Sequence, residues 1–380
     1  MTIIVIGVAV AFLVFLQGWL YRRFWRRGLT AEVKFSAKEA FEGDKLFLQE
    51  EFTNKKLLPL TWFFVEIRLP GQLVFGENMG GTGGPSGVKI QRDLFSIKIY
   101  ERLRRRLPFV ASARGFYTLD EVSVKVSNLL HTRRFEGFFK TYQELTVYPK
   151  LLEDAPELAI LYQNLDAAIL SNALINPDPF EFKGIRDYLP TDSLKNINFK
   201  ASAIQQQLMV NIHAPVSARR LEIVLNLQPY SINPYREIYE QSIRMAATIA
   251  TKYIHDDIKV GFYTNGRDGY TNKMPYVAMG QSTAHLQTIL EALAHINTSN
   301  VPGPIAPYLD EIASNDAVYV VVSSYFGEDL EAALDGLKVR GIACAVIMPT
   351  EARLMKKAPQ RDDVIVWQAT DLEVQKDGDA

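Results

Sequence analysis

The stretch Gly184 to Ser202 reads G-I-R-D-Y-L-P-T-D-S-L-K-N-I-N-F-K-A-S. It predicts a loop running into a short helix. Pro190 has no amide hydrogen to give a regular ladder, and Thr191, Asp192 and Ser193 offer side-chain oxygens that can cap a helix start. Leu194, Ile197 and Ala201 fall at three- and four-residue spacing and would form one apolar stripe. Arg186, Asp187, Asp192 and Lys195 set opposite charges close together, which predicts an ion-pair network pinning the loop.

The rhythm of the chain changes across this stretch. From Val33 to about Pro149 the segments Lys45–Phe52, Trp62–Leu69, Ile90–Tyr100 and Glu121–Val126 are rich in β-branched and aromatic residues, with partial alternation. Glu42-Gly43-Asp44, Asn54-Lys55-Lys56 and Ala113-Arg114-Gly115 supply turns between them. An antiparallel β-sandwich of the immunoglobulin-like sort fits, without a cysteine pair to bridge its sheets. After the stretch, apolar strand segments alternate with helical ones. Leu221–Leu227, Ile258–Thr264, Ala317–Ser323, Ile342–Met348 and Val364–Trp367 read as strands. Tyr235–Ile254, Thr283–Ile296 and Gly327–Val339 read as helices, and a hairpin is expected after Thr264, through Lys273. Such alternation implies a mostly parallel sheet with helices on both faces.

The order of residues in the stretch resembles the signature of the bacterial domain of unknown function 58 family, a Gly-x-Arg-x-Tyr-x-Pro-Gly-Asp turn followed by Arg-x-Ile-Asp-Trp-Lys-Ala-Ser-Ala-Arg. Gly184, Arg186, Tyr188, Pro190, Asp192, Ile197, Lys200, Ala201, Ser202 and Ala203 match. Thr191, Lys195, Asn198, Phe199 and Ile204 depart from it. Gly115-Phe116-Tyr117 after Arg114 and Val147-Tyr148-Pro149 resemble two further family segments, whereas Asn128-Leu129-Leu130 replaces the usual Asp-Pro-Phe-Gly turn. The resemblance implies a membrane anchor, a β-domain, and a doubly wound C-terminal domain similar to von Willebrand factor type A. The expected organisation is an anchor with a basic flank over residues 1–29 and a β-sandwich over 30–150. A connector carrying the signature follows over 151–215, then a type A-like domain over 216–372 and a polar tail over 373–380.

Composition narrows the function classes. With 380 residues and 48% apolar content, the chain can bury two cores in addition to an anchor. A net charge of −1 favours neither nucleic acid nor strongly acidic substrates. A single cysteine, Cys344, excludes an internal disulfide and a multi-thiolate site, and its apolar setting predicts a core residue. Ile3 to Leu20 is almost uninterruptedly apolar and would make a helix about 27 Å long, close to a bilayer's hydrocarbon thickness. No Lys or Arg precedes position 22, so a retained anchor is favoured over a cleaved signal peptide. Arg22, Arg23, Arg26 and Arg27 follow, and the positive-inside rule predicts a single-pass protein of the inner membrane with its bulk in the cytoplasm.

Candidate sites are few. Metal-binding type A domains place Asp-x-Ser-x-Ser after the first strand and another Asp after a later one, because hard cations take oxygen ligands. Here Asn226, Gln228 and Tyr230 stand after the first strand and Ser324 after the later one. No metal or cofactor is expected; a site rebuilt from Asp256, Asp257 or Glu328 is the alternative. The glycine-rich run Gly80–Gly87 lacks the Lys-Ser/Thr of a phosphate loop and predicts a hairpin loop. Arg102, Arg104, Arg105 and Arg106 form a basic cluster, read either as a solvated strand end or as a contact for anionic lipids worth about 1 kcal/mol per residue. The histidines, His131, His213, His255, His285 and His295, show no metal-ligand spacing, and no Gly-x-Ser-x-Gly is present.

These features predict a membrane-anchored adaptor without catalysis. The resemblance implies a MoxR-type AAA ATPase as partner, in assembly or maturation of other proteins. Arg186, Asp192, Lys195 and Lys200 are the expected docking or domain-bracing residues. The alternatives are an envelope-biogenesis enzyme or a metal-dependent adhesion module.

Overall fold

The structure is a computed structural model that describes residues 2–76, 82–83, 88–152, 156–175, 177–215, 220–230, 236–299, 302–314, 316–350, 359, 361 and 363–368. The polar tail lies outside them, as does most of the glycine-rich run. The chain divides into two compact units, Met1–Lys150 and Leu151–Ala380.

The first unit opens with α1 (Thr2–Phe24), whose segment Ile3–Phe24 is long and apolar enough to be a candidate membrane span. Its strands are β1 (Leu29–Phe35), β2 (Glu39–Phe41), β3 (Lys45–Asn54), β4 (Leu60–Pro70), β5 (Leu73–Phe75), β6 (Thr82–Gly83), β7 (Val88–Ile97), β8 (Arg102–Ala111), β9 (Gly115–Ser127) and β10 (Arg134–Tyr148). They form two sheets, ordered β1-β3-β8-β5 and β2-β10-β9-β4-β7-β6. All pairs are antiparallel apart from β2 with β10. The alternating residues of both sheets share one core, which includes Leu48, Phe52, Phe63, Val65, Leu107 and Val124. This is the two-layer arrangement that period-2 strands with one apolar face must adopt.

Two local devices set the sandwich. Tyr117 donates from its hydroxyl to the Ala113 carbonyl at 2.8 Å, tying the start of β9 to the preceding turn. Its ring lies 3.2 Å from where a Cβ of residue 115 would stand, so Gly115 leaves the space that this tie needs. The end of α1 joins the same core: Tyr21 is buried and donates to the Pro59 carbonyl at 2.6 Å, and Trp25 stacks on Phe135. Gly137 leaves room for the Trp25 ring, which would stand 2.8 Å from a Cβ there.

The second unit starts with α2 (Pro156–Ile175) and a hairpin of β11 (Pro177–Asp187) and β12 (Met209–Pro215), with a 3-10 turn (Leu194–Asn196) and α3 (Phe199–Gln205) between its strands. The segment expected as a connector is therefore folded, and it belongs to the same compact unit as the α/β part. The rest follows as β13 (Arg220–Asn226), α4 (Arg236–His255), β14 (Lys259–Thr264), β15 (Arg267–Asp268), β16 (Tyr276–Gly280), α5 (Thr283–His295), β17 (Ile296–Asn297), α6 (Ala306–Ile312), β18 (Val318–Ser323), α7 (Glu328–Val339), β19 (Cys344–Thr350) and β20 (Val364–Gln368).

The main sheet is ordered β16-β14-β13-β18-β19-β20, parallel throughout except for β16 at the edge. The hairpin expected after β14 thus closes on β16, while Arg267–Asp268 pairs with β17 instead. One face, carrying Val224, Tyr263, Tyr319 and Val321, packs against Leu309 of α6 and Leu330 and Leu334 of α7. Strand alternation sends Ile223, Phe262 and Val320 to the opposite face, where α4 and α2 lie against the strands. The chain is α+β: an apolar N-terminal helix, antiparallel sheets, then a mainly parallel sheet with helices.

Candidate functional site

The signature segment is built on the β11–β12 hairpin. Gly184 to Asp187 form the last residues of β11, so the loop starts only at Tyr188. Arg186 sends Nη1 and Nη2 to the two carboxylate oxygens of Asp192, each at 2.6 Å, and Nη1 also reaches the Asp187 carbonyl at 2.9 Å. Asp192 accepts in addition from the Leu189 amide at 2.8 Å. The Arg186 hydrogen bond, then that amide, hold its carboxyl below the usual aspartate range. The pair closes the turn around Pro190.

Because Asp192 is committed to Arg186, it does not cap the helix. Asn198 does, accepting from the Ala201 amide at 2.9 Å, and α3 begins at Phe199 rather than near Thr191. Ser193 precedes the 3-10 turn without a side-chain capping bond. Leu194 and Ile197 therefore lie outside the helix, and the expected apolar stripe does not form. Ser202 donates to the Asn198 carbonyl at 2.7 Å and accepts from the Met209 amide at 2.8 Å, clamping α3 to β12. Tyr188 donates its amide to the Leu208 carbonyl at 2.9 Å. A Cβ at Gly184 would meet nothing within 4 Å, so no steric reason for glycine exists there.

What this bonded frame presents outward is apolar. Phe199 is 76% exposed, Ile204 71% and Leu194 69%, with Ile185, Leu189 and Leu208 also exposed. Lys195 and Lys200 stand exposed on the same segment and make no ion pair among the described residues. The charge pattern drew attention to Arg186 and Asp192, but those two satisfy each other. Of the exposed apolar side chains only Leu194 belonged to the expected stripe; Phe199 and Ile204 stood out in the sequence only as departures from the signature.

The carboxyl edge of the parallel sheet holds a second set. Asn226 donates to Ser323 Oγ at 2.9 Å, and Asn265 donates to Asn226 Oδ1 at 2.8 Å. Asn265 Oδ1 accepts from the Leu227 amide at 2.8 Å, and Ser323 donates to the Tyr325 carbonyl at 2.6 Å. Asn226, Asn265 and Ser323 are all buried, so the mouth is filled by neutral groups that use one another. Gln228 reaches Asp329 Oδ2 at 3.4 Å, and Tyr325 donates to Asp329 Oδ1 at 2.7 Å. Tyr230 turns its ring edge-on to Tyr239 of α4, at 6.4 Å between centroids, and the buried Ser324 hydroxyl has no partner among the described residues.

Among the described residues, no three His, Cys, Asp or Glu side chains are grouped to hold a metal ion. Asp256 and Asp257 follow α4 and precede β14, which puts them at the amino edge of the sheet, where they cannot rebuild a site at the carboxyl edge. The carboxylate that does sit there, Asp329, is one residue past Glu328. Asn265 and Asp329 were the functional-edge residues missed; position directly after a parallel strand, and in the first turn of the helix after another, was the available signal.

The basic clusters are partly consumed by bonds. Arg26 donates to the Phe138 carbonyl at 3.0 Å and lies over the Phe139 ring at 5.3 Å. Arg22, Arg23 and Arg27 remain exposed at the end of α1. Arg102, Arg104, Arg105 and Arg106 begin β8 and fill its first half, and β8 lies between β3 and β5 rather than at a sheet edge. Arg102 and Arg104 share Glu51, at 3.3 and 2.7 Å. Arg105 points inward, to Glu50 at 2.9 Å and to Asp93 of the facing sheet, with Nη1 to Oδ1 at 3.0 Å. Arg106 is exposed. Cys344 lies in β19, where burial pushes its thiol up to about 12. A thiol so rarely ionised is a poor nucleophile.

Residues 184–367 match the family described as protein of unknown function DUF58. The match begins at Gly184, the first residue of the signature. No curated protein matches the chain. Among solved structures, the CARDB domain of a Pyrococcus furiosus protein, in complex with di-metal ions, is 12% identical. It covers 31% of this chain and 91% of its own, at a TM-score of 0.21. The seventh ScaB type I cohesin from Pseudobacteroides cellulosolvens is 14% identical over 33% of this chain and 96% of its own, at a TM-score of 0.22. A non-cellulosomal cohesin from Archaeoglobus fulgidus is 13% identical over 35% and 96%, at 0.21. Likenesses at these scores carry no argument.

Proposed function

We propose that this protein is a membrane-anchored, non-catalytic interaction module that docks a protein partner through its signature segment. The exposed set Leu194, Phe199 and Ile204, with Lys195 and Lys200 beside it, carries this reading. Large exposed apolar side chains with lysines on the same segment suit a protein interface, and the Arg186–Asp192 and Ser202 bonds brace the backbone that carries them. On this reading the parallel-sheet domain is of the von Willebrand factor type A-like kind and works by shape, its carboxyl edge filled by Asn226, Asn265 and Ser323. The partner is a MoxR-type AAA ATPase, acting in assembly or maturation of other proteins. The anchor crosses the inner membrane once with the soluble part in the cytoplasm, and Arg22, Arg23 and Arg27 meet anionic lipid headgroups.

The test uses the full chain in detergent micelles and the purified MoxR-type ATPase of the same organism, with binding followed by interferometry. Phe199→Asp together with Ile204→Asp is expected to weaken binding at least about tenfold, while thermal unfolding stays close to wild type because exposed positions contribute little. Unchanged binding would remove the signature segment as the docking face. No binding by the wild-type chain would remove the ATPase as partner.

A further inference from the structure

Strand β13 carries an acidic residue inside the sheet. Glu222 is 5% exposed and lies in register between Gly261 of β14 and Tyr319 of β18. A Cβ at position 261 would collide with Glu222 Oε2, so the side chain occupies space that glycine leaves free. Among the described residues, no donor reaches Glu222 Oε1, and the buried hydroxyl of Tyr308 on α6 is likewise without a partner. A buried carboxylate without a cation or hydrogen-bond donor is costly, and such groups stand where a partner completes them.

The carboxylate borders a cavity of about 170 Å³. Its walls include Tyr276 of β16, Tyr308 of α6 and Tyr319 of β18, with Met279 beside them. Tyr308 is held by stacking on Tyr263, at 3.1 Å between ring centroids. Arg220 lies at the rim, but its guanidinium is bonded to Asp316, which takes up its charge. Among the described residues, Glu222 is thus a lining carboxylate without a counter-ion, with three tyrosines in the same walls. Ring faces attract cations, and more strongly when water is excluded, so a carboxylate among tyrosines favours a soft organic cation over a hydrated metal ion.

We propose that this cavity binds a small organic cation, an alkylammonium group, with Glu222 as counter-ion and Tyr276, Tyr308 and Tyr319 as walls. The cavity is at the amino edge of the parallel strands and is independent of the signature segment. At a volume of about 170 Å³ it admits a headgroup of a few heavy atoms, not a nucleotide. The shared chemistry is the ammonium, supplied either by a free amine or by the end of a lysine side chain.

The test is calorimetric titration of the full chain in detergent at pH 8, with methylammonium, tetramethylammonium, choline and Nα-acetyl-lysine methylamide. The uncharged choline isostere 3,3-dimethylbutan-1-ol serves as control. At least one ammonium ligand is expected to bind saturably, with choline at least about tenfold tighter than its isostere if the free amine is the source. Tightest binding by the lysine derivative would identify a peptide lysine as the source of the same group. Glu222→Gln is expected to abolish ammonium binding while unfolding at a temperature no lower than wild type, which separates lost recognition from lost folding. Tyr276→Ala, at an exposed edge position, is expected to weaken binding severalfold. Absence of saturable binding by every ammonium ligand, or equal binding by Glu222→Gln and wild type, overturns the proposal.

Discussion

Gly261 and Glu222 are neighbours across one rung of the parallel sheet, and the glutamate's carboxylate fills the place of the missing Cβ. Gly261→Ala is therefore expected to destabilise the protein by about 1–3 kcal/mol, the usual range for overpacking a filled interior. In a Glu222→Ala background the same substitution costs much less. Chemical denaturation of the two single variants and the double variant measures the coupling; additive effects would show that the two side-chain volumes do not compete.

Glu222 also gives a pH signature. Burial raises its pKa from 4.5 to about 7. The native state therefore holds this proton more tightly than the unfolded chain does. Its contribution is fully present below about pH 4.5 and is lost as pH rises to about 7, with no further change above. The span amounts to at most about 3 kcal/mol, at 1.36 kcal/mol per unit. Arg220, Tyr263, Tyr276, Tyr308, Asp316 and Tyr319 are the other ionisable groups around it, and burial raises the pKa of Tyr263, Tyr308 and Tyr319 further above this window. Glu222→Gln should flatten the stability profile between pH 5 and 7 and be the more stable protein at pH 8. An unchanged slope in denaturation midpoints would contradict this.

In the sandwich, Arg105 joins Glu50 of its own sheet to Asp93 of the facing one, and its guanidinium lies over Phe95 at 5.0 Å. Glu50 is 1% exposed, and burial pushes its pKa upward. Arg105→Met strands that carboxylate and is expected to cost about 3–5 kcal/mol, whereas replacing Glu50, Arg105 and Asp93 together by apolar residues should restore most of the loss. Thermal unfolding of the single and triple variants decides between a pair that stabilises and one that only fixes sheet registry.

At the signature, Arg186→Gln and Asp192→Asn are each expected to lower stability, and the double variant to lose little more. The loss in the single variants should shrink in acid as Asp192, held below its usual range by Arg186, becomes protonated. Urea midpoints measured at pH 7 and in acid check both points. Additive losses would mean that the two residues act separately.

The largely apolar runs of the parallel strands, such as Leu221–Leu227 and Ala317–Ser323, made the second sheet legible, because strands covered on both faces have little polar side. The turn-bounded alternation of the first unit showed the sandwich equally well. α2 escaped notice inside the expected connector: Leu158, Leu161, Leu165 and Ile169 are buried, but Ile160 and Leu170 are apolar and exposed, so its sequence shows no clear stripe. The helix start at Phe199 was misplaced because Asp192 has two possible uses, and only the fold shows that Arg186 claims it. Glu222 was invisible as a site, since a single acidic residue between Leu221 and Ile223 looks like an edge position until its neighbours across the sheet are known.

The hydroxyl of Tyr21 on the Pro59 carbonyl and the seating of Trp25 against Phe135 leave no slack between the apolar helix and the β-domain. Where that helix is embedded in a bilayer, the sandwich cannot swing like a ball on a string. Its orientation instead follows the tilt of the helix to which these contacts tie it.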